Sequence, residues 1–298
     1  MADALISLPA SVTVEPGRGG LDRVVVATPA ATAEVVLQGA HVTAWTPDGH
    51  DPVIWTSQRS AWAPGTPIRG GIPLCFPWFG PGPTSEAGLH GFARITDWTL
   101  VEAAEAGDDV VLTLALRDVD VVDRTAWPSP FAARLTITVG GSLTVAMSVT
   151  NTGEQSMTYQ EALHTYLAVG DVRQVTVTGL EDQPFTDRLG VGDQPPAGRA
   201  LSIIGETDRV YPQPGTITVS DPSLGRTISV TAGGSGNAVV WNPWVAKAAA
   251  MTDFGDDEWS QMLCVETCNA FDSAVTLNPG AAATMSAAFR VTRGAERS

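Results

Sequence analysis

Between Phe131 and Val149 every second residue is apolar: Phe131, Ala133, Leu135, Ile137 and Val139, then Leu143, Val145, Met147 and Val149 after Gly140-Gly141. Side chains on a strand alternate between two faces, so this pattern predicts two strands with one buried face, joined by a glycine turn. A second pair is predicted at Asp97–Ala103 and Asp109–Arg117, divided by Glu105-Ala106-Gly107-Asp108. Further strands are expected at Asp22–Ala27, Val35–Trp45, Pro52–Trp55, Met157–Val169, Arg173–Thr178, Gly215–Ser220, Thr227–Thr231, Ala238–Trp241, Met262–Thr267 and Ala282–Thr292. Asn151-Thr152-Gly153 and Asp221-Pro222-Ser223-Leu224-Gly225 are turn signals between such runs. No helical period longer than about three turns is visible. The expectation is an all-β chain forming an antiparallel sandwich or barrel. Gln183–Gly198, rich in Pro, Gly and Asp, reads as an excursion from a sheet and not as a linker, so residues 1–298 are expected to form a single domain.

Charge narrows the function classes. Against 32 acidic residues stand 17 basic ones, a net charge of −15, and Lys247 is the only lysine. There is no basic stripe of the kind a nucleic-acid binder needs, and no polybasic membrane anchor. No apolar run approaches the roughly 18 residues of a membrane span. Met1 to Gly20 carries Asp3 and no basic run, so it is not read as a secretory signal, and a cytoplasmic location is expected. Cys75, Cys264 and Cys268 form no disulfide framework and no C-x-x-C pair. They are read as packing cysteines, with no metal site expected.

Four histidines are candidates for chemistry. His50, in Pro47-Asp48-Gly49-His50, belongs to a polar turn, and His41 lies in a strand-like run that suits a structural role. His90 sits in Gly88-Leu89-His90-Gly91-Phe92-Ala93-Arg94, downstream of Ile68-Arg69-Gly70-Gly71-Ile72-Pro73 and Cys75-Phe76-Pro77-Trp78-Phe79-Gly80. A long irregular stretch such as 61–94 in a compact β protein is commonly functional. Its aromatics, its histidine and the pair Arg69 and Arg94 suit an anionic, ring-shaped ligand; equally, the arginines could pair with the abundant carboxylates. His164, in Gln160-Glu161-Ala162-Leu163-His164-Thr165-Tyr166, has a candidate partner in Glu266. A carboxylate inside the apolar run Met262–Thr267 is costly unless it is paired or at work, so a structural ion pair stands beside a catalytic reading.

These segments, with Glu206-Thr207-Asp208-Arg209-Val210-Tyr211 and the stretch from Val240-Trp241-Asn242-Pro243-Trp244 through Asp253-Phe254-Gly255-Asp256-Asp257 to Cys264-Val265-Glu266-Thr267, occur in the order found in a known family. The chain resembles the aldose 1-epimerase (galactose mutarotase-like) superfamily, and within it the hexose-6-phosphate mutarotases. The resemblance implies a large antiparallel β-supersandwich. It also implies interconversion of the α and β anomers of a hexose 6-phosphate, chiefly glucose 6-phosphate, with Glu266 as general base and His164 as general acid. Asp208 and His90 would contact the sugar, and Arg69 and Arg94 would hold the 6-phosphate. No cofactor, metal or covalent intermediate is implied; the partner is a small sugar phosphate and the expected state a monomer. At ordinary values near ~6.5 and ~4.3, a His/Glu pair needs only modest shifts for such chemistry. Leu89 stands where several relatives place a glutamine, and Gln58 is the candidate for the missing hydrogen bond. Two other readings remain: an aldose 1-epimerase acting on unphosphorylated hexoses, and a non-catalytic carbohydrate-binding protein on the same fold.

Overall fold

A computed structural model describes residues 6–212 and 215–294; the part of the N-terminal reading that rests on Asp3 lies outside the described residues. The regular secondary structure is almost wholly strand, and every ladder is antiparallel. The strands predicted from alternation form as expected: Phe131–Val139 pairs with Ser142–Asn151 across Gly140-Gly141, with buried and outward residues alternating along both. They lie within a nine-stranded sheet that runs from Leu201–Ser202 at one edge to Thr99–Ala106 at the other. A four-stranded sheet holds Val12–Pro16, Asp22–Ala27, Ala31–Val36 and His41–Pro47.

The third large sheet positions the site. Its central strands are Thr207–Pro212, Asn237–Asn242 and Met262–Asn269, with Glu161–Leu163 and Tyr166–Ala168 pairing in turn along the last of these. Along Met262–Asn269, Leu263 and Val265 join the main core shared with Ile137, Val145 and Phe289 of the nine-stranded sheet. Cys268, of opposite parity, packs in a separate cluster with Cys75, Ala162, Val210 and Val239. One face of this sheet therefore closes the sandwich, and the other is free to carry chemistry.

Four expected strands differ. Arg173–Thr178 is strand only at Thr176–Thr178, because Val172–Gln174 forms a 3-10 turn in which the Asp171 side chain accepts from Arg173 N–H. Val35–Trp45 is two strands, because Gly39 and Ala40 take positive φ and Ala40 N–H bonds Leu37 O to make a turn. Pro52–Trp55 forms only isolated bridges: Val53 N–H bonds Trp45 O while Trp55 N–H bonds Tyr166 O, two separate partners and no ladder. Met157–Val169 is broken into Met157–Tyr159, Glu161–Leu163 and Tyr166–Ala168. The second break is at His164-Thr165, where His164 N–H bonds Pro73 O instead of a neighbouring strand. The expected absence of long helices is matched, since the one α-helix among the described residues is Trp244–Ala250.

Candidate active site

The outer face of the third sheet collects the candidate residues by register. Asp208 is paired with Trp241, Trp241 with Cys264, and Cys264 with Tyr166. In the next row Val210 pairs with Val239 and Val239 with Glu266. The flanking pairs Leu163↔Thr267 and Tyr166↔Cys264 place His164 directly across from Glu266. Their side chains meet: His164 Nε2 is 3.4 Å from Glu266 Oε1.

This pair lies on the floor of a cavity of about 360 Å³, lined among others by Arg69, His90, Asp208, Trp241 and Lys247, a volume in the range of small-molecule sites. The irregular stretch 68–94 forms one wall. Gly91 has a positive φ, and a Cβ there would come within 1.9 Å of Phe76 O, so only glycine permits the close chain crossing that holds His90 at the site. Gly80 N–H donates to His90 Nδ1 at 3.2 Å, which leaves Nε2 as the protonated nitrogen of a neutral ring. Burial, then the charges of Arg94, Arg69 and Arg188, push His90 down to about 3, so the ring stays neutral.

The catalytic candidates depart from their ordinary values more than the sequence suggested. Burial, then His90, Arg69 and Arg94, hold His164 well below the usual imidazole value. Burial, then Asp208, raises Glu266 well above the usual carboxylate range, and Arg188 opposes that rise. Each partner is pushed toward its uncharged form. Among the described residues, His164 Nδ1 and Glu266 Oε2 are buried without a hydrogen-bond partner. Burial also raises Asp208.

The two arginines differ in setting. Arg69 Nε and Nη2 meet Asp253 Oδ2 at 3.2 and 3.0 Å, and Nη1 donates to Tyr166 Oη at 3.0 Å. Of the five N–H groups of a guanidinium, two remain. Arg94 is not part of the cavity lining; it stands behind Leu89, donating from Nη2 to Leu89 O at 2.8 Å. Its Nε is buried without a partner, and no carboxylate pairs with it among the described residues. Leu89 itself is at the cavity mouth, 56 % exposed. Gln58 does not take the place of the relatives' glutamine: it is exposed, outside the lining, with its backbone N–H bonded to Glu258.

Several site residues were not singled out from the sequence. Arg188 enters from the excursion 183–198, where Phe185–Asp187 and Gly192–Gln194 add a hairpin to the sheet edge. Its N–H bonds Asp208 O, and its Nε lies 3.7 Å from Asp208 Oδ1. Lys247, on the one helix, pairs with Glu206 at 2.9 Å. Cys264 is buried beside the catalytic candidates: one donor atom each of His164, Cys264 and Glu266 lie within 4.8 Å of one another. The four-residue spacing of Cys264 and Cys268 gave no sign of it, because the other donors come from across the sheet. His41 is structural as expected, with Nε2 2.8 Å from Gly70 O.

A profile of the aldose 1-epimerase family matches residues 22–290. The chain belongs to the aldose 1-epimerase family. Within this family of mutarotases it is 37 % identical over 263 residues to a protein of Cenchrus ciliaris, covering 83 % of this chain and 78 % of the relative. It is also 37 % identical over 255 residues to a protein of Escherichia coli, covering 85 % of each. Both are described as "putative glucose-6-phosphate 1-epimerase". The crystal structure of a Salmonella typhimurium protein, described as a "putative mutarotase", superposes with a TM-score of 0.88 at 30 % identity, over 97 % of this chain and 96 % of that one. The aldose 1-epimerase assignment makes the protein an isomerase of sugars and accounts for the sandwich of antiparallel sheets. No helix among the described residues is long and apolar enough to cross a membrane.

Proposed function

We propose that the protein interconverts the α and β anomers of a hexose 6-phosphate, chiefly glucose 6-phosphate, with His164 and Glu266 as the acid–base pair. The observation that carries this reading is the 3.4 Å approach of His164 Nε2 to Glu266 Oε1 on the floor of a cavity walled by Arg69, with Arg94 half-buried behind Leu89. In ring opening the Glu266 carboxylate takes the C1 hydroxyl proton while the His164 imidazolium protonates the ring oxygen, and the C1–O5 bond breaks to give the aldehyde. Rotation about C1–C2 presents the other face of the carbonyl. In closure the C5 hydroxyl attacks C1, its proton returns to His164, and the Glu266 carboxylic acid protonates the former carbonyl oxygen. The pair carries one proton throughout; only its address changes, so no external acid or base is needed. Asp208 accepts from the sugar hydroxyls, and neutral His90 donates from Nε2.

Arg69 and Arg94 support the phosphorylated substrate. A guanidinium stays charged at any relevant pH and offers paired donors to phosphate oxygens. Arg69 keeps two N–H groups beyond those given to Asp253 and Tyr166, and Arg94 makes no direct ion pair with a carboxylate among the described residues. In a chain of net charge −15 these cations give a dianion a local reason to enter. The names of the relatives from Cenchrus ciliaris and Escherichia coli point the same way. The Arg69–Asp253 pair favours a second reading, a substrate without phosphate, because it already offsets one cation.

Exchange spectroscopy on the anomeric protons of glucose 6-phosphate and glucose separates these readings. Protein-dependent α/β cross-peaks for the phosphate ester, weaker or absent for glucose, are expected. Cross-peaks for glucose alone would remove the phosphate from the proposal, and none for either sugar would leave a non-catalytic sugar binder. His164→Ala and Glu266→Gln should each lower the rate by about 10²–10⁴-fold with folding retained.

A further inference from the structure

The catalytic imidazole is the end of a stack of three rings. Trp55 lies on Tyr166 with ring centres 5.7 Å apart and planes 21° apart. Tyr166 lies on His164 at 4.9 Å and 10°. The Tyr166 hydroxyl in turn accepts from Arg69 Nη1 at 3.0 Å, and Arg69 is anchored by Asp253. A continuous series of contacts therefore runs from the guanidinium that faces the cavity to the acid that must protonate the ring oxygen. We propose that Tyr166 is a positioning residue that couples phosphate binding at Arg69 to the proton on His164, so that the 6-phosphate raises kcat as well as affinity. This rests on the sugar-phosphate reading above.

The charges around His164 give the coupling its direction. Facing it are Glu266 and Cys264 from the adjacent strand and His90 from the segment 68–94; Arg69 and Arg94 act from the same segment, and Asp208, Arg188 and Lys247 from the far side of the cavity. Without a ligand, Arg69 and Arg94 oppose a further positive charge at His164 and so favour the shared proton on the Glu266 side of the 3.4 Å contact. That distribution suits closure of the open sugar, not opening of the ring. A phosphate dianion on the two remaining N–H groups of Arg69 offsets the arginines, and the proton passes from Glu266 to His164, the distribution that ring opening requires. Tyr166 keeps the imidazole parallel to its own ring while this happens, because Trp55 fills its other face. Remote binding energy is thereby expressed in the chemical step.

Cutting the substrate in two tests this. Wild-type protein is given glucose with and without inorganic phosphate, and anomer exchange is followed by NMR. Phosphate bound in place of the ester should accelerate glucose interconversion about tenfold or more. Tyr166→Phe, which keeps the stack and removes only the hydroxyl, should lose most of that acceleration. It should lower kcat for glucose 6-phosphate about tenfold while KM stays within about twofold. Its melting temperature should stay near wild type, separating this effect from a structural one. In wild type the kcat–pH profile should show a higher acid-side pKa with glucose 6-phosphate than with glucose. The coupling is overturned if phosphate competes with glucose 6-phosphate yet never speeds glucose, or if Tyr166→Phe keeps full kcat and full activation. If glucose 6-phosphate shows no advantage over glucose and phosphate does not compete, the sugar-phosphate reading itself has failed, and the coupling with it.

Discussion

Glu161 is fully buried, and only one of its carboxylate oxygens has a partner, the Asn269 side-chain amide at 3.0 Å. Burial, against that hydrogen bond, pushes its carboxyl up to about 7. In the unfolded chain the group gives up its proton near 4.5, so between about pH 4.5 and 7 the folded state binds more protons. Stability therefore falls as pH rises through that window and is level above it. Glu161→Gln should remove this slope, gaining about 1–3 kcal/mol at pH 8 and little near pH 4; melts at both values check it. At the same scale, Arg94→Ala should raise KM for glucose 6-phosphate and leave KM for glucose unchanged, as steady-state anomerisation rates would show. Glu266 was legible as a carboxylate misplaced in an apolar run. Arg188 was not, because nothing in a Pro/Gly/Asp-rich stretch says which of its residues turns toward the sheet. Cys264 was not either, since its neighbours His164 and Glu266 reach it through tertiary contact and alternation, not spacing.

Among the elements, the stretch 68–94 is the one whose sequence and structure agree least with regular patterns and most with each other. It holds a single two-residue strand, Leu74–Cys75, and one short 3-10 turn at Ala93–Ile95. Its glycines mark crossings: Gly91→Ala would drive a methyl into Phe76 O at a positive φ, and should cost about 2–4 kcal/mol while displacing His90. Urea melts and the anomerisation rate should both register the change. The alternating hairpin at 131–151 was legible to the residue because nothing but side-chain parity decides it. The turn at Gly39-Ala40 was hidden because it is itself buried, and its one polar residue, Gln38, is also buried, bonding Thr66 O and Gly65 N–H with its side chain. The break at His164-Thr165 was hidden for another reason: the two half-strands keep one continuous register, so the alternation runs on across it.

For the molecule as a whole, the two large sheets are stitched together by Arg226. Its guanidinium donates to Asp51 O, Pro52 O and Ala168 O at 2.7, 3.0 and 2.8 Å, from a strand of the nine-stranded sheet to the strand carrying Tyr166. Its Nε lies 4.0 Å from the fully buried Asp221. Arg226→Ala would leave that carboxylate without its cation, though with the N–H groups of Gly170 and Leu224, and three carbonyls without their donor, so a loss of about 3–5 kcal/mol is expected in thermal or denaturant melts. The opposition of His164 and Glu266 has a consequence of another kind. Far apart in the chain, they adjoin solely because two strands are aligned to the residue, and a slip of one would turn one of them to the other side of the sheet. A compact but misaligned product would look much the same to circular dichroism and yet be inert. Specific activity thus serves as a counter of correctly threaded molecules, a quality gauge for any preparation of this protein.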